Sequence, residues 1–400
     1  MNLNSLLTSA MANISGEDAF CYMLKANEQE IKSGQSVIHT EIGELAFKIP
    51  PAIEAGIHSA LQNNSTGYAH SQGLPVLRQA ISSYLLKRLR VTVDPNDVII
   101  TAGAKPGITA ALTAFLKAGR QVAFPNPGYP IYHAMTSYFG GSSIPLPLRN
   151  EKDFQERTKR FFNSSSTGDI LIINSPHNLT GTMLSWNALK EIAELAIQKQ
   201  VIVIADESYL DIVYGRQTSE SMLCFPELRE QLIIIQGASK MFAFTGGRIG
   251  WCVAPQSIVP RLTTFLGNIY SCCPPFIQLG VARALEELQK NNSPTSNWFT
   301  DLIQELKQRR DSLCEQLGTI PKISYQKPDG AFYLWVNITQ TGLTSEQFTN
   351  QFLQEYNISV LPGNSFGSEG EGYIRICYGK LPEADITVLC IRLRDFISQL

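Results

Sequence analysis

The chain has 400 residues, of which 44% are hydrophobic and 17% are charged, and its formal net charge is −2. This composition is typical of a globular protein and excludes the disordered, fibrous and membrane-spanning classes. Because 33 basic residues stand against 35 acidic ones, the overall charge gives no reason to expect nucleic acid or an anionic membrane as a partner. At about 150 residues per domain, the length predicts two or three domains, or one large α/β core with a smaller domain beside it.

The cysteines and the N-terminus predict a reducing compartment. None of the eight cysteines forms a CxxC pair or interleaves with the five histidines at metal-ligand spacing, so we expect reduced thiols and no metal. Glu17 and Asp18 precede any long apolar run, and no stretch approaches the ~20 apolar residues of a membrane span. The sequence therefore predicts an unprocessed, cytoplasmic protein.

Short apolar runs alternate with longer amphipathic segments between about residues 50 and 290, a pattern typical of a mainly parallel sheet flanked by helices. The predicted strands are 98–101, 121–124, 169–174, 201–205, 232–236 and 250–254, and the predicted helices are 74–88, 106–117, 185–198 and 275–290. The runs 170–173 and 201–204 are continuously apolar, as expected of strands with both faces covered.

After residue 291 the pattern changes to a charged helix (298–317), two short strands (330–336 and 372–378) and a last helix (382–400). We interpret this part as a smaller α+β domain. The predicted organisation is therefore an N-terminal arm (1–45) that packs on the small domain, a large domain (46–290) and a small C-terminal domain (291–400).

Lys240 directly follows the apolar strand 232–236, within the segment GASKMFAFTGGRIGW (237–251). An ammonium group at the end of a buried strand is costly unless the amine is neutral, paired or covalently used. We therefore favour a lysine that forms a Schiff base over an ordinary surface lysine.

Polar segments also follow three other predicted strands. Asp206 opens the segment DESY (206–209), NSPHNLTG (174–181) follows a second strand, and TAGAKPG (101–107) joins a third to a helix. Strand ends of an open α/β sheet deliver ligand-binding groups, and a glycine-containing helix start favours phosphate. The structural alternatives are that Asp206 caps a helix and that 101–107 is a plain helix start.

These four segments, in this order, resemble the fold type I pyridoxal 5′-phosphate (PLP) enzymes, in particular the class I/II aminotransferases typified by aspartate aminotransferase. The resemblance extends from about Gly43 to Arg375. It implies an α/β fold with a mainly parallel central sheet flanked by helices, a smaller α+β domain, and PLP as the cofactor. The implied reaction moves an amino group between an L-amino acid and a 2-oxo acid through a Schiff base of Lys240.

The resemblance also implies the roles of individual residues around the cofactor. Lys240 carries the cofactor and acts as general base, Asp206 keeps the pyridine nitrogen charged, and Tyr209 and Asn178 bond to the 3′-oxygen; Lys240, Asp206 and Tyr209 are the implied catalytic residues. Tyr129 stacks on the pyridine ring. The residues that match the family's phosphate-binding positions are Gly103, Ala104, Lys105, Ser239 and Arg248.

For the substrate, Arg375 matches the arginine that binds the α-carboxylate as a bidentate pair, and Gly43 and Asn178 match groups that approach the same substrate. Tyr68 matches a tyrosine that family members contribute to the neighbouring subunit's phosphate, which implies a homodimer. A core position before helix 74–88 is the alternative for Tyr68. The segments 328–335 and 361–367 also match the family, and we assign them structural roles.

Three departures from the family pattern concern geometry. Residues 43–46 read GELA where many members have GEPD, and residues 178–181 read NLTG where they have NPTG. Because a non-proline cis peptide is costly, we expect a trans bond before Leu179 and a slightly shifted Asn178. Gly237 replaces a hydroxyl residue and removes one possible phosphate donor.

The sequence leaves reaction type and substrate open. GEL together with SK and GWCV is also similar to PLP-dependent cyclases of the capreomycidine synthase type, in which His39 or Glu44 would supply an extra acid or base. A C–S lyase is a third enzyme alternative, and a transcription regulator is disfavoured because no basic helix-turn-helix precedes the fold. Residues 268–278 contain no arginine, which argues against a dicarboxylate as the preferred amino donor.

Overall fold

The computed structural model of the chain describes residues 3–12, 14–215 and 219–400. Its strands, in chain order, are β1 (Ile38–His39), β2 (Val98–Thr101), β3 (Gln121–Asn126), β4 (Ser142–Pro147), β5 (Ile170–Asn174), β6 (Ile202–Asp206), β7 (Leu232–Gly237), β8 (Gly250–Val253), β9 (Ser324–Tyr325), β10 (Tyr333–Asn337), β11 (Ile358–Ser359), β12 (Leu361–Pro362) and β13 (Tyr373–Cys377).

The α-helices include all those that the sequence pattern predicts, together with several more. They are α1 (Ser9–Ala12), α2 (Asp18–Ser33), α3 (Pro51–Gln62), α4 (Pro75–Leu89), α5 (Ala104–Phe115), α6 (Pro130–Tyr138), α7 (Glu151–Ser164), α8 (Trp186–Lys199), α9 (Ala238–Met241), α10 (Val259–Tyr270), α11 (Pro275–Leu288), α12 (Pro294–Leu317), α13 (Ser345–Tyr356) and α14 (Glu383–Ser398).

Seven strands form the central sheet in the order β2-β8-β7-β6-β5-β3-β4. The strands from β7 to β4 run parallel, whereas β8 is antiparallel to both β2 and β7. Neighbouring residues of one strand face opposite layers: Ile100 joins the apolar core on one side, and Ile99 joins the core on the other. The predicted mainly parallel sheet with both faces covered is confirmed.

Two details of the large sheet differ from the prediction. The helix expected at 106–117 begins at Ala104, because the chain turns into the helix at Gly103 (φ 88°) and Pro106 is tolerated within the first turn. The strand β4 was missed, since it lies at the sheet edge and contains Pro145 and Pro147, which weaken the strand pattern.

A second, antiparallel sheet has the order β12-β13-β10-β9, and its register places Arg375 opposite Trp335. Helices α12 and α14 pack together and contribute Leu306 and Leu393 to the core beside this sheet. The N-terminal arm packs on this C-terminal part of the chain: β1 pairs in parallel with β11, and Ala26 of α2 packs against Leu353. The boundaries at residues 45 and 290 remain a prediction.

All eight cysteines are free thiols, and five of them are buried. Across residues 3–12, 14–215 and 219–400, we find no helix with the length and apolar character that crossing a bilayer requires.

Candidate active site

The strands β5, β6 and β7 end side by side, at Asn174, Asp206 and Gly237. In front of these ends lies a cavity of about 450 Å³, within the size range of small-molecule sites. Most of the predicted site residues line it: Gly43, Ala104, Lys105, Tyr129, Asn178, Asp206, Tyr209, Ser239, Lys240, Arg248 and Arg375. Gly103 lies behind Arg248, and Tyr68 lies elsewhere, with 92% of its surface exposed.

Lys240 lies in the short helix α9, directly after β7, and its side chain points into the cavity. The Nζ atom donates a hydrogen bond to the carbonyl oxygen of Gly43 at 2.6 Å. Burial lowers the pKa of this amine to about 8. A substantial fraction of Lys240 is therefore a neutral nucleophile near physiological pH, unlike an ordinary lysine.

Asp206 is buried at the end of β6, and its carboxylate is held by three hydrogen bonds. Oδ2 accepts from the hydroxyl of Tyr132 at 2.7 Å, and Oδ1 accepts from the N–H (3.1 Å) and the hydroxyl (2.6 Å) of Ser208. Burial raises the pKa of Asp206 in spite of these bonds. A desolvated carboxylate of this kind is suited to face a cation such as a protonated pyridine nitrogen.

Tyr209 and Asn178 reach the cavity from two different loops. The Tyr209 hydroxyl lies 2.8 Å from the hydroxyl of Tyr333. The main-chain N–H of Asn178 donates to Oδ1 of Asn174 at 2.7 Å, which ties the loop to the end of β5. The Tyr209 hydroxyl and the backbone of the Asn178 loop are thus each held by a hydrogen bond.

At the start of α5, Gly103 and Arg248 form a cradle suited to a phosphate. Gly103 has a φ of 88°, which strains any other residue, and a Cβ atom at this position would also displace the guanidinium group of Arg248. Arg248 is oriented by bonds to the carbonyl oxygens of Thr245 (2.8 Å) and Ala102 (3.3 Å). The first N–H groups of a helix have no partner within the helix and attract anions.

The side chain of Lys105 does not point to the phosphate cradle, although its position in the sequence led us to expect this. Its ammonium group forms an ion pair with Glu17 and lies 5.6 Å from the ring centroid of Tyr129. The side chain therefore reaches across the cavity toward the arm, and its main-chain N–H in the first turn of α5 is the group near the cradle.

Arg375 lies in β13 with 4% of its surface exposed, and two aromatic rings contact its guanidinium group. The ring centroids of Tyr333 and Phe366 are 4.5 and 4.9 Å from Cζ. Nη2 donates to the carbonyl oxygen of Glu41 at 2.6 Å and Nη1 lies 3.5 Å from Oδ1 of Asn178, whereas Nε has no hydrogen-bond partner among the described residues. A guanidinium group held in this way at the cavity wall suits a carboxylate.

The sequence interpretation missed several residues of the site. Tyr333 and Phe366 lie in segments that we had assigned purely structural roles, an assignment that the stacking on Arg375 shows to be incomplete. Ser208 had a local signal, since a serine two residues after an aspartate often bonds back to it. Tyr132 and Glu17 had none, because they meet Asp206 and Lys105 only through the tertiary fold.

The expected trans bond before Leu179 is confirmed, since the cis bonds of the described residues precede only Pro127 and Pro176. Leu179 nevertheless has a φ of 142°, which is strained for a branched side chain. Its side chain is fully buried against Tyr22 and Phe366, and this packing holds the strained conformation beside Asn178.

Glu44 and His39, either of which could supply a cyclase with an extra acid or base, both have hydrogen-bond partners within the chain. Glu44 lines the cavity, but it pairs with Lys380 at 2.6 Å and accepts a bond from Thr245 at 3.0 Å. Although burial opposes the change, these two contacts lower the pKa of Glu44. His39 bonds to Glu41 at 2.8 Å, which raises the pKa of His39, and it does not contribute to the lining of the cavity.

Comparisons with known proteins agree with this geometry. Residues 36–393 match the family model of aminotransferase class I and II. An aspartate aminotransferase of Pyrococcus abyssi is 34% identical, with 88% of this chain and 90% of that protein covered. An aromatic-amino-acid aminotransferase 2 of Thermococcus litoralis is 31% identical over 88% and 90%. The crystal structure of an aromatic aminotransferase from Pyrococcus horikoshii superposes with a TM-score of 0.84 at 31% identity, covering 94% and 99% of the two chains.

Proposed function

Because the chain belongs to the class I and II aminotransferases, which depend on pyridoxal 5′-phosphate, we propose that Lys240 is the residue at which it exchanges an amino group between an L-amino acid and a 2-oxo acid. The observation that carries this proposal is the position of the Lys240 amine. It has a pKa of about 8 and shares one cavity with the buried guanidinium group of Arg375. The relatives named above are aminotransferases, which gives the cyclase alternative no support.

The residues of the cavity fit PLP at each of its functional groups. Asp206 would face the pyridine nitrogen, and Tyr209 and Asn178 the 3′-oxygen, while Tyr129 would cover the ring. The phosphate would be held at the start of α5, by Gly103, Ala104, the Lys105 N–H, Ser239 and Arg248. When bound, PLP supplies an electron sink that acidifies the Cα–H bond of an amino acid.

The chain's own groups then bind the substrate and move the proton. Arg375 binds the α-carboxylate through its guanidinium group and orients Cα toward Lys240 in the same cavity. The Lys240 amine would accept the proton from Cα and pass it to the cofactor carbon C4′, a role that a pKa of about 8 permits near neutral pH. A Cβ atom on Gly43 would lie 2.1 Å from Oη of Tyr333, so only glycine lets the arm approach so closely and exclude water.

The direct test is a product assay of the purified holoenzyme with a panel of L-amino acids and 2-oxoglutarate. We expect stoichiometric formation of a 2-oxo acid from the donor and of glutamate from the acceptor. Conversion of a hydroxylated arginine to a cyclic product without any 2-oxo acid would instead favour the cyclase.

The pH dependence of cofactor uptake tests the Lys240 amine separately from catalysis. Only the neutral amine attacks the PLP aldehyde, and burial lowers the pKa of Lys240 from 10.5 to about 8. The rate of PLP uptake by the apoenzyme should therefore rise roughly fifteenfold from pH 6.5 to 8 and level off near pH 9. The absorbance change during uptake, followed by stopped flow at constant ionic strength, measures this rate. A rise that continues tenfold per pH unit to pH 10 would show an unshifted lysine.

We propose that the enzyme is a homodimer in which Tyr68 reaches the neighbouring cavity. Support comes from the match of Tyr68 to the family's phosphate-contacting tyrosine and from its exposure of 92%, which leaves the ring available to a second subunit. A second exposed apolar side chain, Ile269 in helix α10, is likewise available to a partner subunit.

Replacing Tyr68 with phenylalanine removes one hydrogen bond to the partner's phosphate. The dissociation constant for PLP should rise about three- to tenfold, the effect of one hydrogen bond, while Lys240 still binds the cofactor covalently. Equilibrium dialysis of PLP measures this effect, and sedimentation should still show a dimer. Tyr138→Phe, a change outside the cavity lining, is the matched control, and an equal effect of both variants would contradict the assignment.

We also propose a cytoplasmic location. The support is the eight free thiols, which persist in a reducing compartment.

A further inference from the structure

Glu17 occupies a place in the cavity that no role described above explains. It directly precedes helix α2, and its carboxylate forms an ion pair with the ammonium group of Lys105. Both residues line the cavity that also contains Arg375 and Lys240. The pair therefore joins the arm to the start of α5 inside the reaction chamber.

The arm that carries Glu17 is held by buried side chains. Ala19 and Tyr22, in the first turns of α2, pack against Leu179 and Phe366. Since Phe366 also stacks on Arg375, the position of Glu17 is coupled to the wall of the substrate site. The carboxylate is thus placed in the cavity by the fold and not by the ion pair alone.

Lys105 is the one cation of the described cavity lining that the proposed reaction leaves unused. Lys240 binds the cofactor, Arg248 faces the phosphate, and Arg375 binds the α-carboxylate. A substrate with a second carboxylate, bound to Arg375, would meet Lys105 as its nearest unused cation in the same cavity. In the structure a carboxylate of the chain itself holds that position.

The ion pair is exchangeable because it is partly solvated. The side chains of Lys105 and Glu17 are 41% and 27% exposed, and ion pairs at such sites contribute little to stability. A substrate carboxylate can therefore replace Glu17 on Lys105, but only against competition from a group that the arm holds nearby.

We propose that Glu17 acts as an internal competitor for Lys105 and so selects for substrates with uncharged side chains over dicarboxylates. This inference rests on the proposed aminotransferase function for its biological meaning. The inference explains two observations together. The cavity contains an unused cation, Lys105, although the chain has no arginine between residues 268 and 278 that would favour a dicarboxylate.

The test is the substitution Glu17→Gln, which keeps the shape of the side chain and removes its charge. The dissociation constant of succinate, a dicarboxylate that cannot be transaminated, is measured by calorimetry on the PLP-loaded protein. We expect succinate to bind about three- to fivefold more tightly to E17Q than to the wild type. The ratio of kcat/KM for aspartate over phenylalanine should rise by a similar factor.

Two control variants separate competition from other effects. Glu28→Gln makes the same change at an exposed site of α2 and should leave succinate affinity at the wild-type value. The double variant E17Q/K105M should lose the gain in succinate affinity, because the cation that attracts the second carboxylate is gone.

Several results would overturn the inference. Unchanged succinate affinity in E17Q would overturn it. Weaker binding of both succinate and phenylalanine, each measured separately, would also overturn it, because it would show that the charge of Glu17 only anchors the arm. Failure of the proposed function is a separate result: no amino acid would yield a 2-oxo acid, while succinate binding would still report on Glu17.

Discussion

Replacing Lys240 with alanine is expected to abolish the absorption band of the Schiff base between the chain and the cofactor and to lower transamination by about 10⁴-fold. The alanine variant lacks both the amine that binds PLP covalently and the base that moves the Cα proton. Because Lys240 is half-buried and its Nζ is bonded only to a carbonyl oxygen among the described residues, no nearby side chain replaces it. Absorption spectroscopy and a product assay measure the two effects.

The control variants for this prediction distinguish chemistry from charge. Lys240→Arg keeps a positive charge, but guanidinium stays protonated at these pH values and does not act as a nucleophile; it should be as inactive as the alanine variant. Lys290→Ala, at an exposed site, should behave as the wild type. A Schiff-base absorption band that persists in Lys240→Ala would refute the cofactor assignment.

Replacing Arg375 with leucine is expected to lower kcat/KM about 100- to 1,000-fold for every amino acid and 2-oxo acid, mainly through KM. The substitution removes the guanidinium group that pairs with the α-carboxylate, and truncating one partner of a buried charge pair costs about 2–5 kcal/mol. Because every substrate of the reaction carries an α-carboxylate, the loss should not depend on the side chain. Steady-state kinetics with several donors measures it.

Arg309 offers a matched control for Arg375. It is also buried, donates to the carbonyl oxygen of Gly379 at 2.6 Å and lies 4.9 Å from the ring of Phe47, but it does not contribute to the lining of the cavity. Arg309→Leu should lower the urea midpoint without changing the order of KM values. If Arg375→Leu lowered stability alone and left KM unchanged, the carboxylate assignment would be wrong.

Glu17 and Asp18, at the start of α2, illustrate which contacts the sequence does not predict. Glu17 and Asp18 were useful in the sequence only as evidence against a signal peptide. The contact between Glu17 and Lys105 joins residues 88 positions apart, and no periodicity or motif encodes such a separation. Only the docking of the arm through Ala19 and Tyr22 brings the carboxylate into the cavity.

The sequence alone determined most of the central sheet, the helices around it and most of the residues that line the cavity. Buried parallel strands are continuously apolar and functional residues follow their ends, so the positions of Asp206 and Lys240 could be predicted from local patterns. The tertiary structure decided which groups meet across the cavity: Tyr132 with Asp206, Tyr333 and Phe366 with Arg375, and Glu17 with Lys105. Local patterns record burial and backbone preference, whereas these contacts depend on how distant segments pack in three dimensions.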